Sequence, residues 1–149
     1  MTGRVDFYVL KSAALKQRWI FACRLAEKAY LSGLKVVILQ ADPGEAKALD
    51  DLLWTFSERS FVPHDLCLDQ EFDAATPVHI GLDAATLPAG NLLVNLTDRL
   101  PAGLERYARV AEIMDADLER RRLGRERFKS YRDDLKLVLE THKLDETGS

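Results

Sequence analysis

The chain has 149 residues, of which 47% are hydrophobic and 30% charged, and its 21 basic and 24 acidic side chains leave a net charge of −3. That length suits one domain with a sizeable core, the composition excludes a disordered chain, and a pI near 5.6 argues against nucleic-acid binding through bulk charge. No run approaches the roughly 20 apolar residues that span a bilayer, and Cys23 and Cys67 form neither a CxxC nor a disulfide framework, so the expected compartment is the reducing cytoplasm.

Val5 to Leu10 is β-branched and aromatic, the composition of a strand and not of a signal peptide. Ser12 is placed to cap the next element, in which Leu15, Trp19, Ala22, Ala26, Ala29 and Tyr30 recur at helical spacing, and Gly33 is placed to end it. Lys35 to Leu39 is a continuous apolar run, the mark of a strand buried on both faces. This βαβ unit predicts parallel strands joined by a right-handed crossover. Asp42, Pro43 and Glu45 then open a second helix with an N-cap, a proline in the first turn and a capping box.

Ala46, Leu49, Leu53 and Phe56 form the buried face of that helix. Phe61 to His64 reads as a short strand or extended loop, and residues 69–76 as an acidic loop. Pro77 to Leu82 reads as an edge strand with proline at its start. Asn91 to Leu96 is a further strand, Pro101 to Tyr107 suits a short helix, and Arg109 to Met114 alternates enough for a last strand, with a helix as the alternative. Asp117 opens a long C-terminal helix expected to run to about His142. The pattern predicts a single α/β domain over 1–142 with a mainly parallel sheet, followed by a flexible tail over 143–149.

Catalytic signatures are missing. No Gly-rich loop follows the first strand, so backbone amides have no route to a phosphate. His64 and Cys67 have H-x-x-C spacing without two further zinc ligands nearby, and His79 stands between apolar neighbours. No nucleophile elbow occurs, and Asp50 and Asp51, adjacent on a helix, point about 100° apart and do not converge on a metal. The expectation is no enzyme, no cofactor and no metal.

Charge is segregated instead. Residues 117–132 hold seven basic and three acidic side chains, +4 in a chain whose total is −3. Arg121, Arg125, Lys129, Arg132 and Lys136 recur at three or four residues and line one side of the predicted helix, while Phe128, Tyr131, Leu135 and Val138 form the adjoining apolar side. Cations beside an aromatic wall suit an acidic peptide with an apolar end. A solvated surface stripe or a phosphate-binding helix is the competing reading of the same spacing. Trp54 lies off the buried face of its helix, either packed under a loop or exposed as an interface anchor.

The block Leu53-Trp54 followed by Ser60-Phe61-Val62-Pro63-His64, together with Arg125-Glu126-Arg127-Phe128-Lys129-Ser130-Tyr131, resembles the chi subunit of bacterial DNA polymerase III. The resemblance runs over nearly the whole chain, through Phe7-Tyr8, the helix ending at Gly33, the Val-Val-Ile strand, Pro77-Val78-His79-Ile80 and the Leu-Leu-Val-Asn-Leu strand. It implies a noncatalytic Rossmann-like subunit of the clamp-loader assembly that binds no nucleotide. Such a subunit grips the acidic C-terminal tail of the single-stranded-DNA-binding protein and so meets DNA indirectly.

By motif, the resemblance implies that Arg125 and Lys129 hold carboxylates, that Phe128 and Phe61 pack the tail's terminal aromatic, and that Met114 lines an apolar pocket. The family more often has Tyr where this chain has Phe128, so a hydroxyl is lost there. On another surface Trp54, with Pro63 near it, would contact the psi subunit. The alternatives left by the residues alone are a Rossmann-like nucleotide-binding enzyme and a direct nucleic-acid binder.

Overall fold

The structure is a computed structural model and describes residues 2–69 and 71–144. Strands β1 (Arg4–Val9), β2 (Val36–Leu39), β3 (His64–Cys67), β4 (Val78–Gly81), β5 (Gly90–Asn95), β6 (Tyr107–Met114) and β7 (Val138–Lys143) form one sheet in the order β3-β4-β2-β5-β6-β1-β7. Every pairing is parallel. Helices α1 (Leu15–Leu31) and α2 (Pro43–Thr55) cover one face of the sheet and α3 (Leu118–Lys129) the other, the three-layer arrangement expected of an alternating βα chain. Among the described residues no helix is long and apolar enough to cross a membrane.

Local chemistry explains the element ends. Asp42 Oδ1 accepts from Glu45 N at 2.8 Å and Asp117 Oδ2 from Arg120 N at 2.8 Å, so both helices start on an aspartate cap. Gly33 has φ of 80°, the left-handed turn that lets α1 stop and β2 begin. Ser12 caps less directly than expected: the N-cap position is Ala14, whose N–H donates to Ser12 Oγ at 3.0 Å.

Alternation along the strands divides the core. Val36, Ile38, Ile80, Leu92, Val94 and Ile113 face α1 and α2, against Phe21, Ala22, Leu25, Leu49 and Leu53. Val5, Phe7, Val37, Leu39, Leu93 and Val110 face the α3 side, where Tyr131 packs. One charge lies within the first layer. Arg18 is buried, and its guanidinium donates to Ile113 O at 2.9 Å and Leu96 O at 3.2 Å, while burial lowers its pKa.

Four expectations are corrected. Residues 78–81 are not an edge strand, because β4 lies between β3 and β2 and all four residues are buried. Pro77 is tolerated because it precedes the ladder, and its carbonyl accepts from Val36 N at 2.8 Å. The strand near Phe61–His64 starts at His64 and runs to Cys67. The helix expected over 101–107 is only a 3-10 turn at Leu104–Arg106. The C-terminal helix continues from α3 through a π-helical turn, Ser130–Asp134, and stops there instead of reaching His142.

That stop has a backbone cause. Leu135 N reaches Ser130 O and Leu137 N reaches Tyr131 O, and Lys136 takes φ of 54°. The chain then reverses to pair β7 with β1 in register from Arg4↔Val138 to Val9↔Lys143. Lys143, expected in the tail, thus closes β7, and Leu144 N donates to Val9 O at 3.0 Å. Residues 145–149 of that expected tail lie outside the described residues.

Candidate functional site

Strands β6, β1 and β7 end side by side, with Val9 opposite Met114 on one flank and Lys143 on the other. Leu10 N donates to Met114 O at 2.7 Å and Ala116 N to Ser12 O at 2.9 Å, so the chain segments leaving the sheet are tied together. Above these ends α3 packs close, because Gly124 presents no side chain to the tip of Met114. The result is an open cavity of about 390 Å³ lined by Val9, Leu10, Lys11, Met114, Arg121, Arg125, Lys143 and Leu144.

Four of those eight residues are cationic, the others are apolar, and none is acidic. Of the described carboxylates next in sequence to lining residues, Asp115 is fully buried and taken by Arg120 at 2.6 Å in a forked pair that raises the Arg120 pKa, and Glu126 is paired with Arg122 at 3.1 Å. Arg121 Nε donates to the backbone oxygen of Asp115 at 2.7 Å, which aims the side chain without neutralising it. Among the described residues none of Lys11, Arg121, Arg125 or Lys143 is ion-paired. Unpaired cations over an apolar floor attract a carboxylate attached to an apolar group. A larger groove of about 520 Å³, lined by Thr2, Leu100, Leu104, Leu135 and Leu137 among others, carries only Glu105 as a charge and lacks that chemistry.

The floor is braced by a buried polar network. Glu112, fully buried on β6, accepts from Arg127 Nε at 3.1 Å, Arg127 Nη2 at 3.1 Å, Tyr131 Oη at 2.6 Å and Asn95 Nδ2 at 2.9 Å. Burial pulls the Arg127 pKa down, but Glu112 outweighs it and the net shift is upward. Burial, with Glu112 beside it, holds the Tyr131 phenol protonated far above its ordinary range.

The expected site residues divide into two places. Arg125 and Met114 line the cavity. Phe128 lies one helical turn beyond Arg125, half-buried, with its ring 5.1 Å from Phe7 and the Arg132 guanidinium 5.8 Å from its centroid. Lys129 is exposed on the same helix. Phe61 is not brought to them. It precedes β3, at the opposite edge and the opposite end of the sheet, and its exposed ring lies 5.8 Å from Trp54. Trp54 is 52% exposed and Phe61 64%, with Pro63 half-buried two residues after Phe61 and His64 against the indole at 4.6 Å.

The reading of the residues missed Lys11, Lys143 and Leu144. Lys11 could be found as the first charge after β1, whereas Lys143 was hidden by the expected helix and tail. The H-x-x-C pair does not converge either: three residues apart in a strand, His64 and Cys67 face opposite sides. His64 Nδ1 donates to Val62 O at 2.7 Å and its Nε2 lies 3.0 Å from Asp50. Cys67 instead shares a face with Asp65 and His79.

Residues 1–136 match the family described as DNA polymerase III chi subunit, HolC. DNA polymerase III subunit chi of Pseudomonas aeruginosa is 40% identical over 144 residues, covering 95% of this chain and 96% of that one. The Haemophilus influenzae subunit chi is 29% identical over 133 residues, 89% of this chain and 92% of that one. Among solved structures, T4 UvsW is similar with a TM-score of 0.67 at 10% identity over 96% of this chain and 42% of that one. A DEAD box protein from Methanococcus jannaschii has a TM-score of 0.55 at 12% identity, over 93% and 42%. This chain therefore spans less than half of either solved chain, and those two likenesses carry the parallel α/β fold alone. With the family matched over almost its whole length and the first of these relatives covered nearly end to end, the chain belongs to the DNA polymerase III chi subunit family.

Proposed function

We propose that this chi-family chain is a noncatalytic adaptor of the clamp-loader assembly, whose cationic cavity takes the acidic C-terminal tail of the single-stranded-DNA-binding protein. The observation that carries the reading is the convergence of Lys11, Arg121, Arg125 and Lys143 on an apolar floor, with no acidic side chain in the lining among the described residues. The two guanidiniums suit forked bonds to carboxylates, the terminal one included. Met114, Val9 and Leu10 offer contact to the tail's apolar last residue. Lys129 and Phe128 extend the same stripe by one turn, toward the acidic residues that precede it.

The pair Trp54 and Phe61, with Pro63, forms the second surface, for the psi subunit or its equivalent. Its supports are the exposure of two large rings and their distance from the cavity in strand order. Phe61 is read with this surface because of its contact with Trp54.

The test is fluorescence anisotropy with a labelled tail peptide. Arg125→Ala weakens binding about tenfold, the loss of one charged hydrogen-bonding group, and deletion of the peptide's last residue nearly abolishes it. Trp54→Ala leaves peptide affinity unchanged and weakens assembly with the partner subunit. Equal affinity for full and shortened peptides would refute the pocket.

A further inference from the structure

We propose that Asp65, Cys67 and His79 form a binding site for one borderline-soft divalent cation, with zinc the best fit. The inference is independent of the peptide pocket, since β3 and β4 lie at the far edge of the sheet. Parallel register sets Asp65 opposite His79 and Cys67 opposite Gly81. The two-residue period of a strand then puts all three side chains on one face. One ligand atom from each lies within 4.8 Å of the others: a carboxylate oxygen, a thiol sulfur and an imidazole nitrogen.

That donor set selects the metal. Sulfur and imidazole suit zinc and disfavour hard ions such as magnesium or calcium. Three protein ligands leave a fourth position for water. A second cluster, Asp6, Glu140 and His142, has comparable spacing, but Arg4 and Arg109 lie 3.2 and 3.5 Å from Asp6 and repel a cation.

The surroundings of the first cluster fit ligation. Cys67 is 5% exposed and His79 2%. The His79 ring donates through Nε2 to Asp73 O at 2.8 Å, and Asp73 N donates to Asp65 at 3.1 Å. Ligating histidines commonly make this outer bond to a carbonyl. It fixes the tautomer and leaves the other nitrogen's lone pair for the ion. The Phe72 ring meets the imidazole edge-on at 5.7 Å and shields it. Ligation takes the thiolate, so the thiol proton leaves to solvent as the sulfur–metal bond forms. A bound ion would cross-link the edge strand β3 to β4.

The test is titration of the full chain with cobalt(II) in a non-chelating phosphine reductant, read by thiolate-to-cobalt charge-transfer absorption, then competition with zinc. We expect a saturable one-to-one band that zinc removes. The band is lost in Cys67→Ser and kept in Cys23→Ala. Asp65→Asn keeps the sulfur and the imidazole and weakens zinc binding at least about tenfold. Saturating zinc raises the melting temperature of the wild type by about 5 °C but not that of Cys67→Ser. If Cys67→Ser fails to fold by circular dichroism, the Asp65→Asn titration decides instead, and unchanged affinity there rejects the site. Absence of the band in folded wild-type protein, or its persistence in folded Cys67→Ser, overturns the proposal.

Discussion

Replacing Glu112 by Gln tests how α3 is fastened over the sheet. The carboxylate is fully buried, and its Oε2 receives three donors, Arg127 Nε, Tyr131 Oη and Asn95 Nδ2, while Oε1 receives Arg127 Nη2. A glutamine that keeps its oxygen at the three-donor position must aim its amide at the Arg127 Nη2 group, so one charged bond becomes a donor–donor contact. Arg127, 5% exposed, keeps its charge and one carbonyl partner, Asp98 O at 3.1 Å. Breaking a buried pair in this way costs about 3–5 kcal/mol. The three retained bonds put Glu112→Gln near the low end, about 3 kcal/mol, out of the roughly 5–15 kcal/mol by which a domain is stable. For a chain of this length that lowers the melting temperature by about 6–12 °C.

Urea unfolding followed by circular dichroism gives the free energy directly, and an unchanged slope confirms that the same surface is exposed. Tyr131→Phe removes the 2.6 Å bond from the other side and costs about 1.5–3 kcal/mol. The double variant loses less than the sum of the two, because both changes act on one carboxylate. A loss below about 1 kcal/mol for Glu112→Gln, or strict additivity with Tyr131→Phe, would show that Arg127, Tyr131 and Glu112 do not form one network.

Gly124→Ala places a methyl group where the tip of Met114 lies. Alanine favours the helix by up to about 1 kcal/mol over glycine and a methionine tip can move, so stability changes little, while the displaced tip narrows the cavity and lowers tail-peptide affinity severalfold; unchanged affinity by anisotropy would mean that Met114 does not shape the pocket. Tail binding weakens steeply with salt, since its cations are partly exposed, and a salt-independent dissociation constant would exclude the ionic account. Stability falls above about pH 9. Burial raises the Cys23 thiol from 9.0 to about 12, so the unfolded chain loses that proton first and the stabilisation, complete below 9.0, disappears as pH rises toward 12. Urea midpoints across that window decline less in Cys23→Ala than in wild type, and equal declines would contradict this assignment.

The layered α/β fold was legible because its signals are local. Aspartate caps at Asp42 and Asp117, Gly33, and the apolar run at 36–39 each act within a few residues. Strand order was not legible: β4 is internal because β3 adds outside it, which Pro77 cannot announce. The helix expected to reach His142 misled for a related reason. Val138 and Leu139 carry on the helical spacing, yet the exposed side of β1 recruits them as β7, and tertiary pairing overrides the pattern.

The same division holds at the candidate site. The cationic stripe lay on one helix and could be counted, so Arg121 and Arg125 stood out. Lys11 and Lys143 join them only because parallel strands end together. Arg127 shares the helix with the stripe but points inward to Glu112, a pairing across 15 residues that periodicity does not reveal. Phe61 illustrates the converse, since closeness in a family motif does not place a residue within reach of α3.

The central claim, a carboxylate-reading pocket at the ends of β6, β1 and β7, is tested most directly by amide chemical-shift mapping of the isotope-labelled chain during titration with the acidic tail peptide. The account predicts saturable shifts concentrated at Leu10, Lys11, Met114, Arg121, Arg125 and Lys143, with Trp54 and Phe61 unmoved. Shifts concentrated around Trp54 and β3, or none at saturating peptide, would contradict it.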